Sequence, residues 1–311
     1  MKANKKRNLI SALLISMRPS QWMKNIAIFA AILFAGQLFN NQLLHKTSLG
    51  FLVLSMVSSG SYLFNDIIDA PFDRKHPFKK YRPIAAGQLK IKSAGILAFL
   101  LVFGGLWLAF SFGGAFFAVI LSFTVLHFSY SIWLKKVPPL DILGIATAFI
   151  LRVLAGEVLT GYHIPIWLMF SVIFLALFIA SGKRRSELMK ENSEGKTRPA
   201  LKKYRKDLLD HYLSTFATAT LISYALFTFT VEPLDFGGKV FHFLLINYPK
   251  TLGRKWLMLS VPFVIIALMR YAQLVFLSDE GERPEKTIHD IYLFLTVLGW
   301  GASLILLLYV F

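Results

Sequence analysis

Residues 48–74 read SLGFLVLSMVSSGSYLFNDIIDAPFDR. The run Ser48–Asp66 is apolar over about the 20 residues that a helix needs to cross ~30 Å of hydrocarbon. Its end is acidic. Asn65, Asp69 and Asp73 are spaced by four and share one helix face, and Asp66 lies close to it. Clustered carboxylates repel one another and resist ionisation. A hard divalent cation removes that cost, because Mg2+ takes oxygen ligands from one or two carboxylates and completes its shell with water and phosphate oxygens. Acids at membrane depth are functional by default. Asn65, Asp66, Asp69 and Asp73 are therefore the metal-ligand candidates; the competing reading is a solvated helix end. Pro71 predicts a kink or stop between Asp69 and Asp73.

Outward from that run, eight further segments are apolar enough to span: Trp22–Phe39, Ile91–Phe110, Ala115–Leu134, Leu140–Leu159, Pro165–Gly182, His211–Thr230, Trp256–Leu277 and Ile288–Val310. None alternates apolar and polar residues, which disfavours a barrel. The expectation is an all-α, polytopic membrane protein of nine transmembrane helices, one domain over residues 1–311. Composition agrees. The 311 residues are 56% hydrophobic and 16% charged, against about 25% charged in a soluble domain. Disorder is excluded and a water-facing globule disfavoured. With no cysteine, disulfides, thiolate metal sites and Cys catalysis are also excluded.

The formal charge is +17. The cations stand in short clusters between apolar runs, so the pattern reads as positive-inside topology and not as nucleic-acid binding. With the N-terminus cytoplasmic, only Lys46, Lys239, Lys250, Arg254 and Lys255 fall outside, and Arg152 lies within a span. Nine crossings then put the C-terminus outside the cell membrane. Residues 1–21 form a cytoplasmic segment in which the apolar stretch 8–17 is too short to span and suits an interfacial helix. Loops 70–90 and 183–210, both inside, carry most polar chemistry. The outer connection Val231–Lys255 contains FHFLLI, which suits the membrane surface.

Cations follow the acids directly: Arg74, Lys75, His76, Lys79, Lys80 and Arg82. Acids that hold a metal beside bases that hold phosphate oxygens suit a departing diphosphate. Contact with anionic lipid is the alternative, strongest for Lys75 and Lys80. Arg152, deep in its span, needs a partner. Glu157 is poorly placed along the helix, which leaves a partner on another span or a bound phosphate. Tyr130 and Lys135 stand near the inner end of the fourth span and can reach the same cavity. The histidines show no metal spacing, and no phosphate loop or Ser-His-Asp order is present.

At these residues the chain resembles the UbiA-type superfamily of intramembrane prenyltransferases. The Asn65-Asp66…Asp69…Asp73 pattern looks like its first Asp-rich motif. Closer likenesses point to the polyprenyl-phosphate phosphoribosyltransferase branch: Arg18-Pro19-Ser20-Gln21-Trp22-Met23-Lys24-Asn25, Asp73-Arg74-Lys75-His76-Pro77, Arg82-Pro83-Ile84-Ala85-Ala86-Gly87, Tyr130-Ser131, Asp141-Ile142 and Leu151-Arg152-Val153-Leu154-Ala155-Gly156. Gly182-Lys183-Arg184 with Glu187, and Arg270-Tyr271 ahead of Pro284-Glu285, follow it too. Where the superfamily carries a second Asp-rich motif, this chain has Ala180-Ser181-Gly182-Lys183-Arg184-Arg185-Ser186-Glu187, without Asp. Cations bind phosphate directly, which suits a lipid monophosphate.

The resemblance implies a bundle with a cytoplasm-facing cavity and a Mg2+-dependent pentosyltransferase. It would pass 5-phosphoribose from 5-phosphoribosyl 1-pyrophosphate to a polyprenyl phosphate such as decaprenyl phosphate, in synthesis of a lipid-linked arabinose donor for the cell wall. Asp66, Asp69 and Asp73 would be catalytic and, with Asn65, would hold metal. Lys24, Arg74, Arg82, Tyr130 and Lys135 would contact donor. Arg152, Lys183 and Arg184 would contact phosphate, with Glu187 orienting one of them. One alternative is a prenyl diphosphate transferase with an aromatic acceptor; another is a non-catalytic transporter or lipid binder. Oligomeric state is open, a homo-oligomer included.

Overall fold

The computed structural model describes residues 8–75, 79–194, 203–231, 246–247, 255–277 and 290–310. His76-Pro77, Pro284-Glu285 and most of the outer connection 231–255 lie outside the described residues. Everything described is helix, turn or irregular chain, with no strand. α1 is Leu9–Met17. A 3-10 helix follows over Pro19–Phe29 and passes into the short α2, Ala30–Phe34. Then come α3 (Asn41–Asp73), α4 (Ile91–Ser111), α5 (Gly114–Ile132), α6 (Leu140–Thr160), α7 (Ile166–Glu194) and α8 (Lys206–Thr230). α9 is Val261–Leu277, led by a 3-10 turn at Trp256–Ser260, and α10 is Ile291–Ile305.

Among the described residues, eight helices are long and apolar enough to cross a membrane, and the protein is a multi-pass membrane protein. The expected first span, Trp22–Phe39, differs in kind. The helical part there is the 3-10 run, which begins at Pro19, and α2, which ends at Phe34. A 3-10 helix rises ~2.0 Å per residue and an α-helix ~1.5 Å, so these 11 and five residues cover about 30 Å, the hydrocarbon thickness. Pro19 opens the run, and Lys24 and Asn25 interrupt its hydropathy.

Two further expectations change. α3 does not stop at Pro71: it continues to Asp73, and Arg74 N–H closes the turn on Ala70 O at 3.1 Å. Pro71 removes one backbone bond, and with the helix ending two residues later the loss is local. α7 runs on past Gly182 to Glu194, so Lys183–Glu187 lie on a helix and not in a loop.

The chain forms two compact units. The first comprises residues to Ile32, Asn40–Val137 and Ile150–Tyr162; the second comprises Leu33–Phe39, Pro138–Phe149 and the chain from His163. In the first, Ala12, Leu63, Ala70, Ile84, Leu89, Ala94 and Ala98 form one buried cluster. α4 turns Phe99, Phe103, Trp107 and Phe110 outward, all exposed. At spacings of four and three residues they make one helical stripe, suited to lipid and not to water. In the second unit, Phe178, Leu213, Leu268, Tyr271 and Val275 pack together. Tyr309 Oη donates to Leu33 O at 2.7 Å and accepts from Leu38 N–H at 3.0 Å, which satisfies backbone groups freed where α2 ends.

α3 and α4 approach closely at Gly60. A Cβ there would lie 2.6 Å from Val102 Cγ2 and 2.9 Å from the Ala98 carbonyl oxygen. Gly60→Val lowers the unfolding free energy by about 1–3 kcal/mol through overpacking. Thermal unfolding in detergent measures it; an unchanged midpoint contradicts the close approach.

Candidate functional site

The last two turns of α3 gather the acids. Asp66 and Asp73 side chains are only 3% and 7% exposed and Asp69 18%. Buried carboxylates need partners, and three cations reach them from separate elements. Arg18 Nη2 donates to Asp66 Oδ1 at 2.5 Å. Arg82 Nη1 bridges Asp66 Oδ1 at 3.2 Å and Asp73 Oδ2 at 2.6 Å. Lys135 Nζ donates to Asp69 Oδ1 at 2.6 Å and Asn65 Oδ1 at 3.2 Å. Asn65 Nδ2 in turn donates to Asp69 Oδ2 at 3.1 Å. The helix continuing through Pro71 keeps Asp73 on the face of Asp66 and Asp69, where a single Arg82 serves two acids.

Local backbone delivers each cation. Arg18 sits between α1 and the 3-10 run with φ +53°, a left-handed conformation rare for a side-chain-bearing residue. The reversal lays its guanidinium 5.2 Å over the Tyr62 ring and onto Asp66. Arg82 heads a compact turn. Ala86 N–H bonds Arg82 O, Gln88 and Leu89 N–H bond Pro83 O, and Gly87 supplies φ +73°. Buried Ile84 and Leu89 pin that turn to α3 and α4. Lys135 extends from the 3-10 turn Leu134–Lys136 after α5.

Lys24 Nζ donates to Gln21 Oε1 at 2.5 Å on the 3-10 run. Tyr130 is half-buried near the end of α5, while Arg74 and Lys75 are exposed. Arg152 is 2% exposed. Its Nε donates to Asn25 Oδ1 at 2.8 Å and its guanidinium lies 4.8 Å over Phe123. Arg18 was quoted in a motif but given no role by sequence reasoning. Its one local signal is the following Pro19, which keeps the preceding residue out of the right-handed helical region.

In the second unit α7 carries a network of its own. Arg184 Nε lies 2.6 Å from Asp141 Oδ2, and its Nη1 pairs with Glu187. Asp141 is fully buried; its Oδ1 accepts from Tyr204 Oη at 2.6 Å and from Ile142 N–H at 2.9 Å. Arg185 pairs with Asp210 at 2.6 Å, donates to Val275 O at 2.8 Å and stacks 4.1 Å over Phe276. Lys183 is half-buried. The two arginines standing where the superfamily has its second Asp-rich motif are thus engaged by carboxylates. Asp141, Tyr204 and Asp210 carried no role in the sequence reading; their partners are distant in the chain.

The α3 set is all oxygen donors, without His or Cys, which fits a hard cation. No three His, Cys, Asp or Glu side chains converge as a metal cage among the described residues. The fit is therefore to Mg2+ held by one or two of these carboxylates with substrate oxygens completing the shell, not to an all-protein cage. Acids paired with two arginines and a lysine at the end of a spanning helix have the chemistry that an intramembrane transferase of phosphorylated substrates needs.

Comparison with known proteins agrees. Residues 25–298 match the family model described as the UbiA prenyltransferase family. The chain belongs to the UbiA prenyltransferase family. The decaprenyl-phosphate phosphoribosyltransferase of Corynebacterium glutamicum is 33% identical over 317 residues, 99% of this chain and 91% of that protein. A protein of the same name from Mycolicibacterium smegmatis is 30% identical over 299 residues, 94% of this chain and 91% of its own. The structure of a UbiA homolog from Archaeoglobus fulgidus bound to GPP and Mg2+ superposes with a TM-score of 0.68 at 20% identity, covering 94% of this chain and 99% of that one.

Burial, and then the hydrogen bond to Asp141, push the Tyr204 phenol above its ordinary 10.0. The folded state therefore holds this proton more tightly than the unfolded chain. Its contribution is complete below about pH 10 and fades as pH rises further. Tyr204→Phe removes that alkaline component, so parent and variant stabilities converge above pH 10. Unfolding midpoints measured from pH 8 to 11 check this; a constant difference contradicts it.

Proposed function

We propose that this protein transfers 5-phosphoribose from 5-phosphoribosyl 1-pyrophosphate to a polyprenyl phosphate of the decaprenyl phosphate type, releasing diphosphate. The observation that carries the reading is the cluster at the end of α3, where each of Asp66, Asp69 and Asp73 is paired with Arg18, Arg82 or Lys135. Two relatives named for this activity, matched over nearly the whole chain, support it.

The lipid phosphate oxygen attacks the anomeric carbon of the ribose, and the bond from that carbon to the diphosphate oxygen breaks. A phosphate monoester is already anionic near neutral pH, so no strong base is needed. Carboxylates of the Asn65, Asp66, Asp69 and Asp73 set would hold Mg2+, which would supply neutralisation of the leaving group. Arg18, Arg82 and Lys135 exchange carboxylate partners for diphosphate oxygens and so stabilise the charge that develops as the bond breaks. Lys24 is placed on the same 3-10 run that Arg18 precedes, and serves the donor as well. The site faces the cytoplasm in the positive-inside orientation, with the C-terminus outside, and the product feeds lipid-linked arabinose synthesis for the cell wall.

Purified protein in nanodiscs is offered labelled 5-phosphoribosyl 1-pyrophosphate with decaprenyl phosphate, or a prenyl diphosphate with an aromatic acceptor. Transfer occurs only from the first donor and requires Mg2+. Asp69→Asn and Arg18→Ala each lower it about 100-fold, the scale of losing one charge-stabilising group. Turnover of the prenyl donor alone, or full activity of Asp69→Asn, refutes the assignment.

A further inference from the structure

The 3-10 run Pro19–Phe29 has 11 residues. Such runs seldom exceed three or four residues, because their hydrogen-bond geometry is poor and side chains at i and i+3 eclipse. One this long has to be held by its surroundings. The eclipsing places Asn25 and Ile28 on one face, and both are fully buried. The opposite positions Ser20, Met23 and Ile26 are exposed at the same spacing of three.

Two residues of α6 meet the buried face in register. Arg152 Nε donates to Asn25 Oδ1 at 2.8 Å. At Gly156 a Cβ would lie 2.0 Å from the Ile28 carbonyl oxygen, so the helix rests directly on that backbone. Four residues of α-helix and three of 3-10 helix both rise about 6 Å, so the two contacts match only while the run stays 3-10. α3 holds it from another side. Asn25 Nδ2 donates to Ser55 Oγ at 3.1 Å and Ser58 Oγ at 3.5 Å, and Trp22 Nε1 donates to Ser59 Oγ at 2.9 Å. Ser59 Oγ donates onward to Met17 O at 3.0 Å, beside Arg18.

We infer that Arg152 is a positioning residue: with Gly156 it clamps the first crossing in its 3-10 form and thereby sets where Arg18 and Lys24 stand relative to the α3 acids. On relaxing to an α-helix, each step turns about 20° less and rises about 0.5 Å less. Over the six steps from Asn25 back to Pro19 that is about 120° and 3 Å. A displacement of that size breaks the 2.5 Å contact of Arg18 with Asp66. The buried cation is then explained without a phosphate on it. Its planar guanidinium offers a fixed Nε–H to the asparagine, which a lysine does not.

The chain has no cysteine, so single cysteines at positions 19–29 other than Trp22 and Asn25, which hold the run, can each carry a nitroxide. In the parent, oxygen accessibility of the labels repeats every three residues. In Arg152→Gln and Asn25→Ala the repeat lengthens toward 3.6 residues, the α-helical period. Transfer falls about 100-fold in kcat while KM for the lipid phosphate stays within about threefold, as expected of misplacement by an ångström or more. Arg152→Lys fails to rescue either property, and Gly156→Ala, which touches no charge, gives the same pair of effects. A three-residue repeat that survives in Arg152→Gln, a lost repeat with unchanged transfer, or rescue by Arg152→Lys with only KM affected overturns the inference. Its kinetic arm rests on the transferase reading above. Label accessibility does not, so a parent without phosphoribosyl transfer refutes that reading and leaves the clamp to be judged by the label repeat.

Discussion

Three carboxylates on one helix face, where a spanning segment ends, impose the constraint around which the first unit is built. In low dielectric an unpaired acid is expensive, and breaking one buried pair strands its partner. Each acid is met by a cation, and each cation demands its own backbone device: the left-handed turn at Arg18, the hydrogen-bonded turn behind Arg82, the short 3-10 turn that carries Lys135. The acids and bases of the set balance in formal charge. A metal alone has to displace cations and a diphosphate alone has to face carboxylates, whereas the two together satisfy both halves.

The second unit shows the same economy with a different outcome. α7 outlasts its apolar stretch because the charges that follow are paired: Arg184 with Asp141 and Glu187, Arg185 with Asp210. Tyr204 completes the shell of Asp141. What looks in sequence like a run of basic residues halting at the membrane is, in space, a buried polar core that fixes helices to one another.

The spanning segments and the acid motif were legible because both are written in local spacing: apolar length for the first, intervals of three and four residues for the second. Lys135 and Arg82 flank the spans, which is what makes their pairing with the acids suggestible from sequence. Other features depend on partners far along the chain. Arg152 bonds a residue 127 positions earlier, and Tyr204 one 63 positions earlier; no periodicity reports such pairs. The 3-10 form of the first crossing was hidden for a related reason. Hydropathy counts apolar residues and is blind to rise per residue, and the contacts that hold the run come from α3 and α6. Pro71 suggested a break by a local rule, yet the pairing of Asp73 with Arg82 favours one more turn of helix.

The strained backbone at Arg18 has a practical corollary. A left-handed residue with a side chain costs of order 1–3 kcal/mol, and glycine at such a position relieves it. Glycine at 18 therefore relieves the backbone but also removes the guanidinium that meets buried Asp66, and stranding that acid costs at least as much as the strain it relieves. Backbone relief and ion-pair loss thus offset each other at this one position, which makes it a poor place to seek a sturdier protein.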